Sequence, residues 1–231
     1  MAAFPFKLIE LTHVLSPEIP SWEGDCGFEH QQILDYSNCT TAVKFHVQAI
    51  HMQAGIGTHM DAPAHCIPGG KTIDEFVLDE LLAPCILIDA SSLAHERWLL
   101  SSEDIYQFER HYGKIAAGSF VIIHTGWNKY WHHPLHYRNH WHFPSISQNA
   151  ALTLLERDIA GLGIDTLSPD IPTSGYPVHQ IILGAGKYIV ENIANAHILP
   201  PLGAYTLCLP IRTKGGTEAP IRLIGLIHHV E

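Results

Sequence analysis

The sequence predicts a single α/β domain built on a mixed β-sheet. Three observations lead there. Helix-like and strand-like stretches alternate through the middle third, the last third is mostly strand-like, and no Gly-rich dinucleotide fingerprint sits between a strand and a helix. With 231 residues, 46% of them hydrophobic and 16% charged, the chain suits one large domain over residues 1–231 and is too apolar for disorder.

Strand-like runs cover residues 6–15, 43–52, 84–90, 119–125, 161–166, 187–193, 204–209 and 220–229. Helical candidates lie between them. Residues 74–82 carry Phe76, Val77, Leu81 and Leu82. The stretch 102–112 opens on Ser-Glu-Asp, a capping residue with an acidic first turn. Residues 147–160 place Ala150, Leu154 and Leu155 at helical spacing and stop before Gly161. Residues 178–183 follow Pro177, whose fixed φ suits a first helical position. Gly184-Ala-Gly186 falls after a helix and before a strand, the wrong context for a phosphate, and reads as a turn.

Charge and composition exclude several functions. Thirteen Lys and Arg against 23 Asp and Glu give a net charge of −10, which argues against a nucleic-acid surface or an anionic membrane as partner. No apolar run approaches the roughly 20 residues of a spanning helix, and the N-terminal stretch lacks a basic leader with a long apolar segment. Five cysteines without a C-x-x-C pair suggest neither a disulfide framework nor a zinc finger, so a cytoplasmic protein is expected. The 18 His outnumber Lys and Arg together. Imidazole is the commonest transition-metal ligand, so the spacing of these histidines matters.

The most informative segment is Gly55-Ile-Gly-Thr-His59-Met-Asp61-Ala-Pro-Ala-His65. In an extended chain His59 and Asp61 share a face and are able to converge on one Zn²⁺ or Mn²⁺ ion. His65 follows closely enough to face the same cavity without binding metal. An ordinary polar pairing is the competing reading of a short His-x-Asp motif. A second segment places His179 and Glu191 in an apolar stretch, where a carboxylate needs a partner; a structural ion pair would also satisfy it.

Other candidates carry two readings each. The stretch 131–144 is rich in His and aromatic residues and bounded by Pro, so it reads as an irregular loop in which His132, His136 and His140 do not align. The rings of Trp127, Trp131, Trp141 and Phe143 offer flat surfaces to an aromatic substrate, or else form a packed loop or subunit contact; Trp22 is a further substrate-binding candidate or part of an N-terminal turn. Asp165, Thr166, Ser168 and Asp170 orient the site or cap turns. Arg222 binds a substrate carboxylate or a surface acid. His228 and His229 read as terminal surface residues.

Taken with Leu11-Thr-His-Val-Leu-Ser-Pro17, Pro20-Ser-Trp-Glu-Gly-Asp25, His124-Thr-Gly-Trp127, Gly163-Ile-Asp-Thr-Leu-Ser-Pro-Asp170, Pro200 and Pro220-Ile-Arg222, these motifs resemble the cyclase family of metal-dependent hydrolases. That family contains bacterial kynurenine formamidase and isatin hydrolase. Its motif His-x-Gly-Thr-His-x-Asp-x-Pro-x-His matches residues 55–65 at every named position except the first, where Gly55 stands. The resemblance implies a barrel-like mixed sheet of the swivelling type flanked by helices. It also implies metal ligands at His59, Asp61, His179 and Glu191, Asp61 bridging if two ions bind, and a catalytic histidine at His65. Zn²⁺, or alternatively Mn²⁺, is the expected cofactor, in one well-occupied site with a second left in doubt by Gly55. His51 lies too far along its strand to substitute, His46 falls on the other face, and Cys66 is expected to point away from His65 as a buried free thiol.

The implied activity is hydrolysis of a small amide, an aryl formamide such as N-formylkynurenine first. A lactam or lactone is the alternative, and a non-catalytic metal- or small-molecule-binding member is a reading from another class. A homodimer or homotetramer is expected by the same resemblance. The sequence holds neither a nucleophile elbow nor an activated cysteine.

Overall fold

The computed structural model describes residues 5–229; the first four and last two residues of the expected domain lie outside the described part. Strands β1 (Phe6–Glu10), β2 (Phe28–Leu34), β3 (Val47–Met52) and β4 (His59–Asp61) come first. They are followed by α1 (Leu78–Leu81), β5 (Leu82–Asp89), β6 (Leu99–Leu100) and α2 (Ser102–Tyr112). Next come β7 (Phe120–His124), α3 (Pro134–Arg138), β8 (Ser145–Ile146), α4 (Gln148–Glu156) and β9 (Gly161–Ile164). The chain then runs through α5 (Pro177–Gly184), β10 (Tyr188–Glu191), β11 (Ala204–Pro210) and β12 (Glu218–His228).

The sheet is mixed, as expected. Strands β5, β7, β9 and β10 are parallel neighbours, while β11, β12 and β4 pair antiparallel. Closure depends on the length of β12. One of its edges pairs with β11; the other pairs with β4 at 218–220 and with β1 at 224–228. Because β4 also pairs with β10, seven strands in the order β12-β11-β5-β7-β9-β10-β4 close into a barrel, with β1 added outside the ring.

Side-chain alternation sorts the wall into two faces. Cys85, Leu87, Phe120, Ile122, Tyr188 and Val190 pack together on the inside. Their neighbours Ile86, Ile88, Val121, Ile123, Leu162, Ile164 and Ile189 meet α2, α4 and α5 on the outside. Near-continuous apolar runs in β5 and β7 follow from burial on both faces. No helix among the described residues is long and apolar enough to cross a membrane.

Several boundaries differ from the sequence expectation. The first strand leaves the ladder after Glu10, where Thr12 Oγ1 accepts a hydrogen bond from Leu223 N–H at 2.8 Å. The run expected from residue 43 pairs only from Val47, and its partner β2 was not expected, because Glu29-His-Gln-Gln32 carries no apolar alternation. Residues 74–82 divide into a 3₁₀ turn at Ile73–Glu75 and the short α1. Glu75 and Glu80 accept from the backbone N–H of Thr72 and Val77 at 2.8 and 2.9 Å, starting each turn afresh. Helix α2 forms as expected but is capped one residue earlier, by Ser101. Helix α4 stops at Glu156, before Asp158 takes a positive φ of 51°. Stretch 131–144 is less irregular than expected. Pro134 opens α3, and positive φ angles at Asn139, His140 and Trp141 then break it, so the three spaced histidines do not align.

Candidate metal centre

Strand β4 lies between β10 and β12, and its register assembles the site. His59 sits directly opposite Glu191, Met60 opposite both Val190 and Ala219, and Asp61 opposite Glu218. Met60, Val190 and Ala219 belong to the inner core. The four polar residues therefore share the outer face of the barrel wall.

His179 reaches this face from the first turn of α5. The Asp170 carboxylate fixes it, accepting from the N–H groups of Val178 and His179 at 3.2 and 2.9 Å and from His179 Nδ1 at 2.8 Å. Asp170 thus both caps the helix and orients the ring, uniting the two readings left open by the sequence. His59 is held in the same way. Its Nδ1 donates to the Gly57 carbonyl at 2.9 Å, and Asn192 Nδ2 donates to that carbonyl at 2.9 Å. Gly57 adopts a φ of +64°, where a Cβ would also collide with Leu15.

With Nδ1 of both rings committed, the Nε2 atoms face carboxylates. His59 Nε2 lies 3.5 Å from Asp61 Oδ1 and 3.4 Å from Glu191 Oε2. His179 Nε2 lies 3.6 Å from Asp61 Oδ2 and 3.5 Å from Glu191 Oε1. These four separations lie near the roughly 3.4 Å ligand spacing of a tetrahedral ion with bonds of about 2.1 Å. Two sets, Asp61 with His65 and His179 and His59 with Asp61 and Glu218, each bring one ligand atom per residue within 4.8 Å of the others. Asp61 is 1% exposed, and neither of its oxygens has a hydrogen-bond partner. A buried carboxylate without donors is costly unless a cation compensates it, so the residues fit a divalent metal. His59, Asp61, His179 and Glu191 thus stand together at one end of the same cavity.

The electrostatics agree with that fit. Burial lowers the affinity of His59 and His179 for a proton, yet the surrounding carboxylates more than offset it and both pKa values lie above the ordinary imidazole range. Burial and the Asp61 charge hold the Glu191 carboxyl up. Asp61 is also pushed up by burial but is brought below its usual range by the facing imidazoles.

The centre forms the floor of a cavity of about 550 Å³ whose wall includes Trp22, Cys66, Leu167, Tyr176 and Glu218. His65 follows β4 on a 3₁₀ turn started by Pro63 and stands at the rim, 33% exposed at its side chain. Its Nδ1 lies 3.3 Å from Glu218 Oε2, and this carboxylate raises the His65 pKa above the ordinary value. Glu218, Tyr176 and Leu167 were missed in the sequence. Glu218 lacks any local motif, and only the β4–β12 register reveals it.

Trp22 lines the cavity as expected, but Trp127, Trp131 and Phe143 do not. They are packed with Phe28, Ile56 and Tyr137 in a third apolar cluster and are 6%, 3% and 1% exposed. Trp127 Nε1 donates to the Tyr137 carbonyl at 2.8 Å, and Trp131 stacks on His13 with centroids 3.8 Å apart. Polar anchoring and stacking turn these rings inward. Cys66 is exposed and lines the cavity rather than being buried; partial desolvation by the cavity wall still raises the thiol pKa, which disfavours the thiolate ligand. His51 is on the exposed ribbon of β2 and β3, 3.3 Å from Gln31 Oε1, and His46 is 3.5 Å from Asp35.

The remaining candidates make local hydrogen bonds, and Ser168 among them also lines the cavity. Asp165 accepts from His124 Nδ1 at 3.1 Å and from Thr125 N and Oγ1 at 2.8 and 2.7 Å, anchoring the turn after β7. Thr166 Oγ1 donates to the Ser168 carbonyl at 2.8 Å, and Ser168 Oγ accepts from Asp170 N–H at 3.2 Å. Arg222 Nε donates to Glu10 at 2.7 Å on the surface, and His228 and His229 are exposed at the end of β12.

The chain is similar to known proteins in sequence and in fold. An isatin hydrolase from Roseibium aggregatum is 31% identical over 186 residues, covering 74% of this chain and 71% of its own. A kynurenine formamidase from Paracidovorax citrulli is 28% identical, with 92% and 91% covered. The structure of isatin hydrolase A from Ralstonia solanacearum superposes with a TM-score of 0.88 at 29% identity, over 96% of this chain and 92% of that one. The profile of the cyclase family matches residues 9–171, a span that carries His59, Asp61, His65 and the Asp170 that orients His179. The chain belongs to the cyclase family.

Proposed function

We propose that this chain is a metal-dependent hydrolase acting on the C–N bond of a small, non-peptide amide. The observation that carries the reading is the buried, donor-free Asp61 carboxylate between His59 and His179 at the floor of the cavity. His59, Asp61, His179 and Glu191 would hold the ion, Zn²⁺ or alternatively Mn²⁺. When bound, such an ion lowers the pKa of water towards about 7 and polarises a carbonyl.

The chain's own residues supply the rest. His65 Nε2 takes a proton from the attacking water and returns it to the departing nitrogen. Glu218 at Nδ1 holds the ring in the tautomer that does so. Asp170 and Gly57 hold the two ligand imidazoles with Nε2 towards the floor. Trp22 and Tyr176, with centroids 6.4 Å apart, offer rings to a flat substrate.

An aryl formamide such as N-formylkynurenine fits this chemistry, and the 28% identity to a kynurenine formamidase supports it. The 31% identity to an isatin hydrolase supports a fused aryl lactam as the second reading. Metal-loaded protein assayed against an aryl formamide, an isatin-like lactam and a lactone decides between them. No metal-dependent turnover of any would refute the hydrolase reading in favour of a non-catalytic binder.

Residues 1–231 constitute one such domain in this reading. A homodimer or homotetramer is supported by the ribbon of β2 and β3 and the segment joining them, where Ile33, Val43, Phe45, Val47 and Ile50 are exposed. Light scattering giving a monomer mass would remove that part. Five free cysteines support a reducing, cytoplasmic location.

A further inference from the structure

The Glu218 carboxylate occupies the space into which a side chain at residue 55 would project. A Cβ placed on Gly55 would collide with Glu218 Oε1 and come within 3.3 Å of Glu218 Cδ and 3.4 Å of His59 Nε2. The bare glycine therefore opens a volume beside His59, and a carboxylate from β12, paired directly opposite Asp61, enters it.

What Glu218 meets there is a set of ligand atoms. His59, Asp61 and Glu218 each contribute one atom within 4.8 Å of the other two. The two Asp61 oxygens are divided between different imidazoles, Oδ1 towards His59 and Oδ2 towards His179. Both are buried and without hydrogen-bond partners, so each has a lone pair available to a cation. Among the described residues, those lining the cavity include Glu23, Asp61, Glu191 and Glu218 but no Lys or Arg to neutralise them. One imidazole and two carboxylates suit Zn²⁺ or Mn²⁺.

We propose that Glu218, with His59 and Asp61, holds a second divalent cation beside the position formed by Asp61, His179 and Glu191, its carboxylate serving in place of a side chain at residue 55. The proposal rests on the metal-centre reading and amends it from one ion to two. Asp61 is then the bridge between them. Glu218 divides its oxygens, Oε2 towards His65 and Oε1 over Gly55 towards the ion.

The test counts ions with Mn²⁺ as probe, by elemental analysis and electron paramagnetic resonance, on the intact protein and two variants whose folding is checked by circular dichroism. Wild type is expected to bind two ions with the spectrum of a coupled pair. Glu218→Gln, which keeps the side-chain volume, is expected to retain one ion and lose the coupling. The backbone at Gly55 is not left-handed, so Gly55→His combined with Glu218→Ala removes the obstructing carboxylate and is expected to regain two coupled ions. Equal ion counts in wild type and Glu218→Gln, whether one or two, overturn the role of Glu218 while leaving the metal-centre reading intact. Two ions retained by Glu218→Gln with turnover lost would assign Glu218 to His65 alone and also overturn it. No ion bound by any form would instead sink the metal-centre reading itself.

Discussion

Asp170 receives two hydrogen bonds from His179, one from the backbone N–H at 2.9 Å and one from Nδ1 at 2.8 Å. The same carboxylate therefore starts α5 and fixes which imidazole nitrogen faces the floor of the cavity. Nε2 is left without a proton when the ring is neutral, the state a metal ligand requires.

Asp170→Asn keeps the shape but loses the charge that holds this tautomer. Metal affinity should fall by roughly 10–100-fold, with about 1 kcal/mol of stability lost at the helix start. Competition with a chelator and a melting curve measure the two effects; unchanged affinity would refute the orienting role.

Asp61 and His65 should separate cleanly. Asp61→Ala should abolish metal retention after gel filtration. His65→Ala should keep the metal and lose about 10²–10⁴-fold in turnover, the usual contribution of a general acid–base group. Full activity in His65→Ala would sink the part assigned to it.

The aromatic residues give a contrast between wall and core. Trp22 lines the cavity, so Trp22→Ala should raise KM for an aryl substrate several-fold. Phe143 is 1% exposed within a packed cluster, so Phe143→Leu should cost about 1 kcal/mol or more of stability and leave KM unchanged. A KM effect from Phe143→Leu alone would reverse this placement.

His13 makes stability depend on pH. Burial, with the nearby His132 charge, lowers its pKa from the ordinary 6.5 to about 4, and its ring stacks on Trp131. Between these values the unfolded chain binds a proton that the folded chain does not. The contribution is therefore intact above pH 6.5, declines as pH falls towards 4, and is level below. The full loss is on the order of 3 kcal/mol. In urea unfolding, the stability difference between wild type and His13→Phe should shrink over that window. A difference constant from pH 7 to pH 4 would contradict the shift.

What the sequence determined by itself is local. Period-two alternation put His59 and Asp61 on one face, Pro177 marked the start of α5, and the apolar runs gave most of the barrel strands. Each signal arises among residues a few positions apart, where backbone geometry alone dictates which side chains meet. Long-range packing sets Glu218 opposite Asp61, pairs β2 with β3, and turns Trp127, Trp131 and Phe143 inward. Those outcomes depend on register between distant strands and on which side of a chain is covered. A one-residue slip of β12 would send Glu218 to the other face of the wall, and nothing within its own neighbourhood in the chain fixes that choice.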